Sequence, residues 1–406
     1  MYLEKTKQLV GKIPYLKDIY HLVYYNIFKK FDRAIVYPYD EFIKIDNPEI
    51  IKLIDASEAE CYSPSTTDKE PDPVLRTMSP VYALCISDGT VIGGSNVVLK
   101  GKIALYNHNT GTNVNYSDGA FHDYRENYQL GKNRIYRSEC PTATIDSGIS
   151  MCINYNYNYY HYILECLSKF QLLDNLNLDA SIPLIIDKTA KDIPQFQQLL
   201  RIFNKTNREV IYLDRIQHLK VKKLYVFSPI QYLPANNIDI STIDCTDTAF
   251  RIESIIYLKK KILQEIVSNE SSHNSPSKIF ISRQNCKVRS YNNDEVESGL
   301  ESIGFTTILP EKLSLEEQVR IFNSAKIIVA ASGAALTNIL FCKPKTRIFV
   351  LANRYLDLSI FSTIARYLDL NMKYIIADSV DSADLHSSFH INVEKLKEEI
   401  PYKIAD

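Results

Sequence analysis

The chain has 406 residues, 45% of them hydrophobic and 23% charged, with a formal net charge of −1. That length exceeds the usual size of one core and predicts two domains, while the near-zero charge gives no overall electrostatic reason to bind nucleic acid. Eight cysteines stand at positions 61, 85, 140, 152, 166, 245, 286 and 342 with no C-x-x-C pair, which argues against a zinc site and fits buried thiols in a reducing compartment.

In chain order, residues 1–35 read as a basic amphipathic helical segment in which Lys5, Lys12, Lys17, Lys29 and Lys30 alternate with Leu9, Tyr15, Tyr20, Tyr24 and Phe28. No secretory signal opens the chain, and no run reaches transmembrane length. The segment fits either contact with an anionic inner-membrane surface through residues 1–33 or packing on its own protein with a solvated charged face. Short strands are expected at 80–86, 90–92, 96–98 and 103–106, with a hairpin turn at Asp88-Gly89. His108, His122 and Asp123 fall in this β-rich region, as acceptor contacts or as ordinary loop residues.

From Asp146 the pattern becomes α/β, with a strand at 183–187, a helix at 193–203 and strands at 210–213 and 224–227. A connecting helix is expected over 245–269, and the Ser, Asn and Pro-rich stretch 271–277 marks a boundary. The chain therefore divides into 36–270 and 278–406, two Rossmann-like lobes with a small β-rich region in the first. His161 and Glu165 stand four apart near a helix start, so one helix face carries both and the carboxylate can fix the imidazole's tautomer. An N-terminal capping and hydrogen-bonding pair is the competing reading.

In the second lobe, the apolar run 278–282 ends at Arg283, whose guanidinium suits bidentate phosphate contacts. Arg289 has the same chemistry in a polar loop. Ser314 and Glu317 form an S-x-x-E capping box opening a helix over 315–325, with Leu315, Val319 and Phe322 on its apolar face. Strands follow at 327–331 and 347–352, and between them lies Ser332-Gly333-Ala334-Ala335-Leu336-Thr337-Asn338. A strand entering a helix leaves amides pointing outward. The small Gly333 and Ala334 let a diphosphate approach them, and Ser332, Thr337 and Asn338 add donors. No Asp-x-Asp pair is present, its nearest form being Glu70-Pro71-Asp72, so neither metal nor cofactor is expected.

These pieces together resemble glycosyltransferase family 61. Its pattern is matched by Ser282-Arg283, Arg289, Asn293-Asp294-Glu295, Pro310-Glu311, Leu313-Ser314-Leu315, Gln318, the Ser332 to Asn338 run with Phe341, and Tyr159-Tyr160-His161 with Glu165. One position departs, since the family's His before Gly-Ala is Ser332 in this chain. The resemblance implies a GT-B architecture and inverting transfer from a nucleotide-sugar donor to a glycan or lipid-linked glycan acceptor. It also implies a bacterial polysaccharide-type member, of capsule or lipopolysaccharide synthesis, and the absent signal fits a cytoplasmic setting. Donor binding falls to Arg283, Arg289, Ser332, Gly333, Ala334, Thr337 and Asn338, and proton removal to His161 and Glu165. Ser332 motivates the alternative, a noncatalytic nucleotide-sugar or glycan-binding protein. A dinucleotide-dependent oxidoreductase ranks last, because no strong G-x-G-x-x-G follows a strand.

Overall fold

The computed structural model describes residues 32–66, 69–106, 134–137, 143–215, 217–233, 245–267, 275–284, 288–355, 359–377, 379–381 and 387–400. Nearly all of the basic segment, together with His108, His122, Asp123, Cys140 and Cys286, lies outside the described residues. The rest is mixed α/β, built on two large sheets.

Among the described residues the larger sheet has ten strands, one of which, Glu49–Ile54, pairs with Val81–Ile92 off the main order. At one end Val210–Leu213, Leu184–Asp187 and Ala143–Ser150 are parallel neighbours, with Leu184 opposite both Val210 and Ile149. Helix Pro194–Phe203 serves this end, starting on a proline and burying Phe196, Leu199, Leu200 and Phe203. Next come His218–Phe227 and, antiparallel to it, Val81–Ile92. The short strands Val98–Lys100 and Ile103–Leu105, then Asp32–Tyr37 and Arg134–Arg137, continue the sheet. Since His218–Phe227 is also parallel to Ala143–Ser150, it and the three strands at that end form a parallel unit in the order 3-2-1-4 by chain position, the pattern of a Rossmann-like half. The strands beyond it pair mainly antiparallel.

Two local expectations fail for tertiary reasons. Asp88-Gly89 makes no hairpin, because Val81–Ile92 runs on as one strand paired with His218–Phe227. Asp88 takes a left-handed φ of 54°, and a Cβ at Gly89 would stand 2.7 Å from Leu224 Cδ2. The pair therefore kinks a strand whose partner is already fixed. The connecting helix is shorter than 245–269. It spans Ile252–Ile266, because Ala249 is bridged to Tyr232 on both backbone sides and so is unavailable to a helix.

The second sheet is wholly parallel, in the order Thr306–Ile308, Lys278–Ile281, Ile327–Ala331, Arg347–Ala352, Asn371–Ile376. In chain order that is 2-1-3-4-5, a doubly wound arrangement. Helix Leu315–Ser324 has the expected capping box and buries Leu315, Val319 and Phe322. Replacing Ser314 by alanine should cost about 1 kcal/mol, read as a lower urea midpoint at constant m-value; an unchanged midpoint would mean water caps the helix equally well.

One buried cluster contains Val81, Ile149 and Leu184 of the larger sheet and Ile279, Ile328 and Val350 of the second. A different cluster, with Phe280, Val329, Leu300 and Leu396, covers the other face of the parallel sheet. The two sheets consequently meet through a shared apolar layer.

Candidate functional site

In a 2-1-3-4-5 sheet the chain reverses direction between the first and third strands, and a crevice opens beyond their carboxyl ends. Here these are Lys278–Ile281 and Ile327–Ala331, and the residues that follow them are Ser282-Arg283 and Ser332-Gly333. The structure brings Arg283 and the small-residue loop into contact. Arg283 Nη1 donates to Ser332 O at 2.9 Å, Nη2 donates to Val288 O at 3.1 Å, and a Cβ at Gly333 would lie 3.6 Å from Arg283 Cζ. Arg289, one residue beyond that Val288 carbonyl, is half-buried with a left-handed φ of 53°.

The backbone that carries Arg283 is fixed as well. Asn293, at the start of helix Asn293–Glu301, accepts from the Arg283 backbone N–H at 3.1 Å, from Tyr291 Oη at 3.0 Å and from Ser282 Oγ at 3.2 Å. Glu297 on the same helix accepts from Ser282 Oγ at 3.1 Å. The signal in the sequence is an asparagine ten residues after Arg283, which the resemblance marks only as part of an Asn-Glu element.

Beyond Ser332 the chain forms a 3-10 helix, Ala334–Phe341, where an α-helix is the simpler expectation. Its first closing bond runs from Leu336 N–H to Gly333 O at 2.9 Å, which places the amides of Gly333, Ala334 and Ala335 ahead of it. These three residues are half-buried, whereas Ser332, Thr337 and Asn338 are buried. Thr337 Oγ1 is enclosed and has no partner among the described residues.

Asn338 is placed differently from a donor-contacting residue. Fully buried, it donates through Nδ2 to Gln318 Oε1 at 3.0 Å and accepts at Oδ1 from Tyr159 Oη at 2.8 Å. Gln318 in turn donates to Pro310 O at 2.8 Å and Leu313 O at 3.2 Å. Burial pushes the Tyr159 phenol up, so it stays protonated and donates. Asn338 thereby ties the helix with Tyr159 to the helix with Gln318, and sequence reasoning missed both of those partners.

Tyr159 belongs to the short helix Tyr159–His161, capped by Asn158, whose Oδ1 accepts from Tyr160 N–H at 2.9 Å. The helix widens at once into a π-helix, Tyr162–Leu167. Single π turns recur at functional sites, and this one carries Glu165. His161 Nδ1 and Glu165 Oε1 are in contact, with side chains 20% and 22% exposed. Tyr155 stacks on the imidazole at 5.0 Å and Tyr160 meets it edge-on at 5.0 Å. Tyr159 and Tyr160 are therefore packed inward, the first onto Phe196, and do not make the open sugar-stacking wall that their sequence suggests.

A buried carboxylate fixes the loop before this helix. Asp187, at the carboxyl end of Leu184–Asp187, accepts from Gly94 N–H at 2.6 Å and Ile153 N–H at 3.1 Å. Burial pushes its carboxyl up, and those two amides pull it back. Elsewhere, burial pushes the Cys166 and Cys342 thiols up to about 12, as inert core cysteines require. Glu70 of the Glu70-Pro71-Asp72 sequence is engaged by Arg366 and Lys373. Among the described residues no group of three or more His, Cys, Asp or Glu is placed to hold a metal ion, and no helix is long and apolar enough to cross a membrane.

The helix carrying the His161–Glu165 pair thus docks directly on the segment that follows the Ser332-Gly333 loop, through Tyr159 and Asn338. No curated protein matches the chain. The Glycosyltransferase 61 family model does match, over residues 159–349, a span that holds the His161–Glu165 pair, Arg283, the Ser332-Gly333 loop and Asn338, and this match supports glycosyltransferase family 61 for that part of the chain.

Proposed function

We propose that the protein transfers a sugar, with inversion, from a nucleotide-sugar donor to a glycan acceptor, the two sheets serving as the two sides of a GT-B-type site. The carrying observation is the placement of Arg283 against the Ser332-Gly333 loop at the switch point of the parallel sheet. A guanidinium and forward-facing amides suit a diphosphate. They would balance the charge of the departing nucleoside diphosphate without a metal ion, as a preorganised anion site does.

The acceptor's proton falls to the His161–Glu165 pair. With Nδ1 held by Glu165, the proton sits on Nδ1 and Nε2 is the basic nitrogen. As the acceptor oxygen bonds to the anomeric carbon and the bond to the donor phosphate breaks, Nε2 takes the hydroxyl proton. Bacterial capsule or lipopolysaccharide assembly on the cytoplasmic side, with residues 1–33 against the membrane, is the setting that fits the sequence reading.

Calorimetry with UDP-, GDP-, CMP- and ADP-linked sugars in excess chelator tests the donor half. One donor should bind, and Arg283→Ala should raise its Kd about 10- to 100-fold, the range for hydrogen bonds to a charged group, at a thermal midpoint close to wild type. Turnover abolished by chelator and restored by manganese would overturn the metal-independent part. The noncatalytic reading is favoured by Ser332, whose side chain is buried where the family pattern has His; donor binding with no turnover in any acceptor mixture would select it.

A further inference from the structure

We infer that Tyr155 is a positioning residue for His161, its ring held over the imidazole to keep it in place and to favour the charge it gains on taking the acceptor's proton. The inference rests on the transferase reading above.

The side chain supplies one half of the case. The Tyr155 and His161 rings are stacked, with centroids 5.0 Å apart and planes inclined by 29°. Glu165 meets the same imidazole at Nδ1, and Tyr160 stands at 84° to it. An imidazole that has taken a proton is a cation, and a cation within about 6 Å of an aromatic face is attracted to it. A stacked ring covers the face while leaving the in-plane lone pair of Nε2 uncovered. Tyr157, two residues on, is by contrast 63% exposed, so the loop turns one tyrosine onto His161 and leaves the next in solvent.

The backbone supplies the other half. Tyr155 has a left-handed φ of 51°, in a turn closed by Asn158 N–H donating to Tyr155 O at 2.8 Å. That region is natural to glycine and accepted by asparagine, but disfavoured for a bulky side chain. Such conformations persist only where the surroundings over-determine them, and they cluster at functional sites. Here the chain is fixed on both sides of the tyrosine. Before it, Lys169 Nζ donates to Cys152 O at 2.8 Å, Asp187 accepts from Ile153 N–H at 3.1 Å, and Asn154, 2% exposed, accepts from Asn96 N–H at 3.2 Å. After it, Thr189 Oγ1 donates to Asn156 O at 3.1 Å. The turn itself needs no ring. What tyrosine adds over glycine is the stack on His161.

The test compares Tyr155→Phe, which keeps a ring, with Tyr155→Gly and Tyr155→Asn, which accept the turn without one. The first readout is hydrolysis of the nucleotide sugar that a UDP-, GDP-, CMP- and ADP-linked panel selects, with water as acceptor. Water's oxygen bonds to the anomeric carbon, Nε2 takes its proton and the nucleoside diphosphate leaves. At saturating donor the rate should fall about 5- to 30-fold in the two ringless variants, the worth of a desolvated cation–π contact. It should stay near wild type in Tyr155→Phe, with donor Kd and thermal midpoint little changed throughout. The second readout is NMR of histidine-labelled protein, the His161 signals being assigned by their loss in His161→Ala. The ring current of residue 155 should hold them upfield in wild type and Tyr155→Phe, and they should move downfield in the other two. Wild-type rates in the ringless variants, a Tyr155→Phe protein as slow as they are, or His161 signals indifferent to loss of the ring would each overturn the inference. A chain that hydrolyses no nucleotide sugar, yet whose His161 signals move only when the ring is removed, would instead sink the transferase reading and leave the hold of Tyr155 on the imidazole standing.

Discussion

Replacing His161 by alanine should lower kcat by a factor of about 10²–10⁴, the usual worth of a positioned general base, with donor affinity unchanged. The expectation follows from how tightly the ring is set. Glu165 holds Nδ1, Tyr155 covers one face at 5.0 Å and Tyr160 closes the edge at 5.0 Å. One nitrogen is thus left to act, on a side chain 20% exposed. Glu165→Gln keeps an acceptor beside Nδ1 and should cost less than the loss of the ring. Single-turnover rates with saturating donor separate the step from binding. A His161→Ala protein with wild-type kcat would move the base elsewhere and return the pair to a structural role.

Asn338→Ala should destabilise the fold by about 2–4 kcal/mol, because each buried partner left unsatisfied costs roughly 1–3 kcal/mol. The partners are Tyr159 Oη and Gln318 Oε1. Tyr159→Phe removes only one bond and should cost about 1 kcal/mol. The two losses should fall short of additivity in the double variant, since they share a contact. Urea unfolding measures all three. If Asn338→Ala unfolds at the wild-type midpoint but binds donor poorly, the residue contacts the ligand directly and the bridge is incidental.

The three central strands of the parallel sheet were legible because each is a short apolar run closed by polar or small residues, whereas the edge strands Thr306–Ile308 and Asn371–Ile376, richer in polar residues, were not. Ile327–Ala331 and Arg347–Ala352 have the bounds expected of them, and the Ser314 box needs only a spacing of three. His161 and Glu165 were legible for the same reason, four residues being one helical turn even where the helix widens. Asn338 was not. A polar residue after a small-residue loop reads alike whether it faces a ligand or a buried glutamine twenty positions earlier, and only the packed chain decides. Asp88-Gly89 failed in the opposite sense, with strong local turn chemistry overruled by a ten-residue partner strand, His218–Phe227. Asp187 gave no pattern at all, since its role lies in two amides from distant loops.

The π-helix Tyr162–Leu167 inserts a phase offset between two surfaces of one helix. Downstream, Phe170, Leu172 and Leu173 are locked into the core, and upstream His161 is held against Glu165, Tyr155 and Tyr160. Each residue of an α-helix turns the chain by about 100°, so the extra backbone step lets the core residues and the His161 ring hold angular settings that no uninterrupted α-helix offers together. The helix therefore works as a vernier. Its core-facing residues can change by isosteric exchange without rotating His161, whereas loss of one residue in the widened turn would rotate the imidazole relative to the hydrophobic face beneath it and break its contact with Glu165.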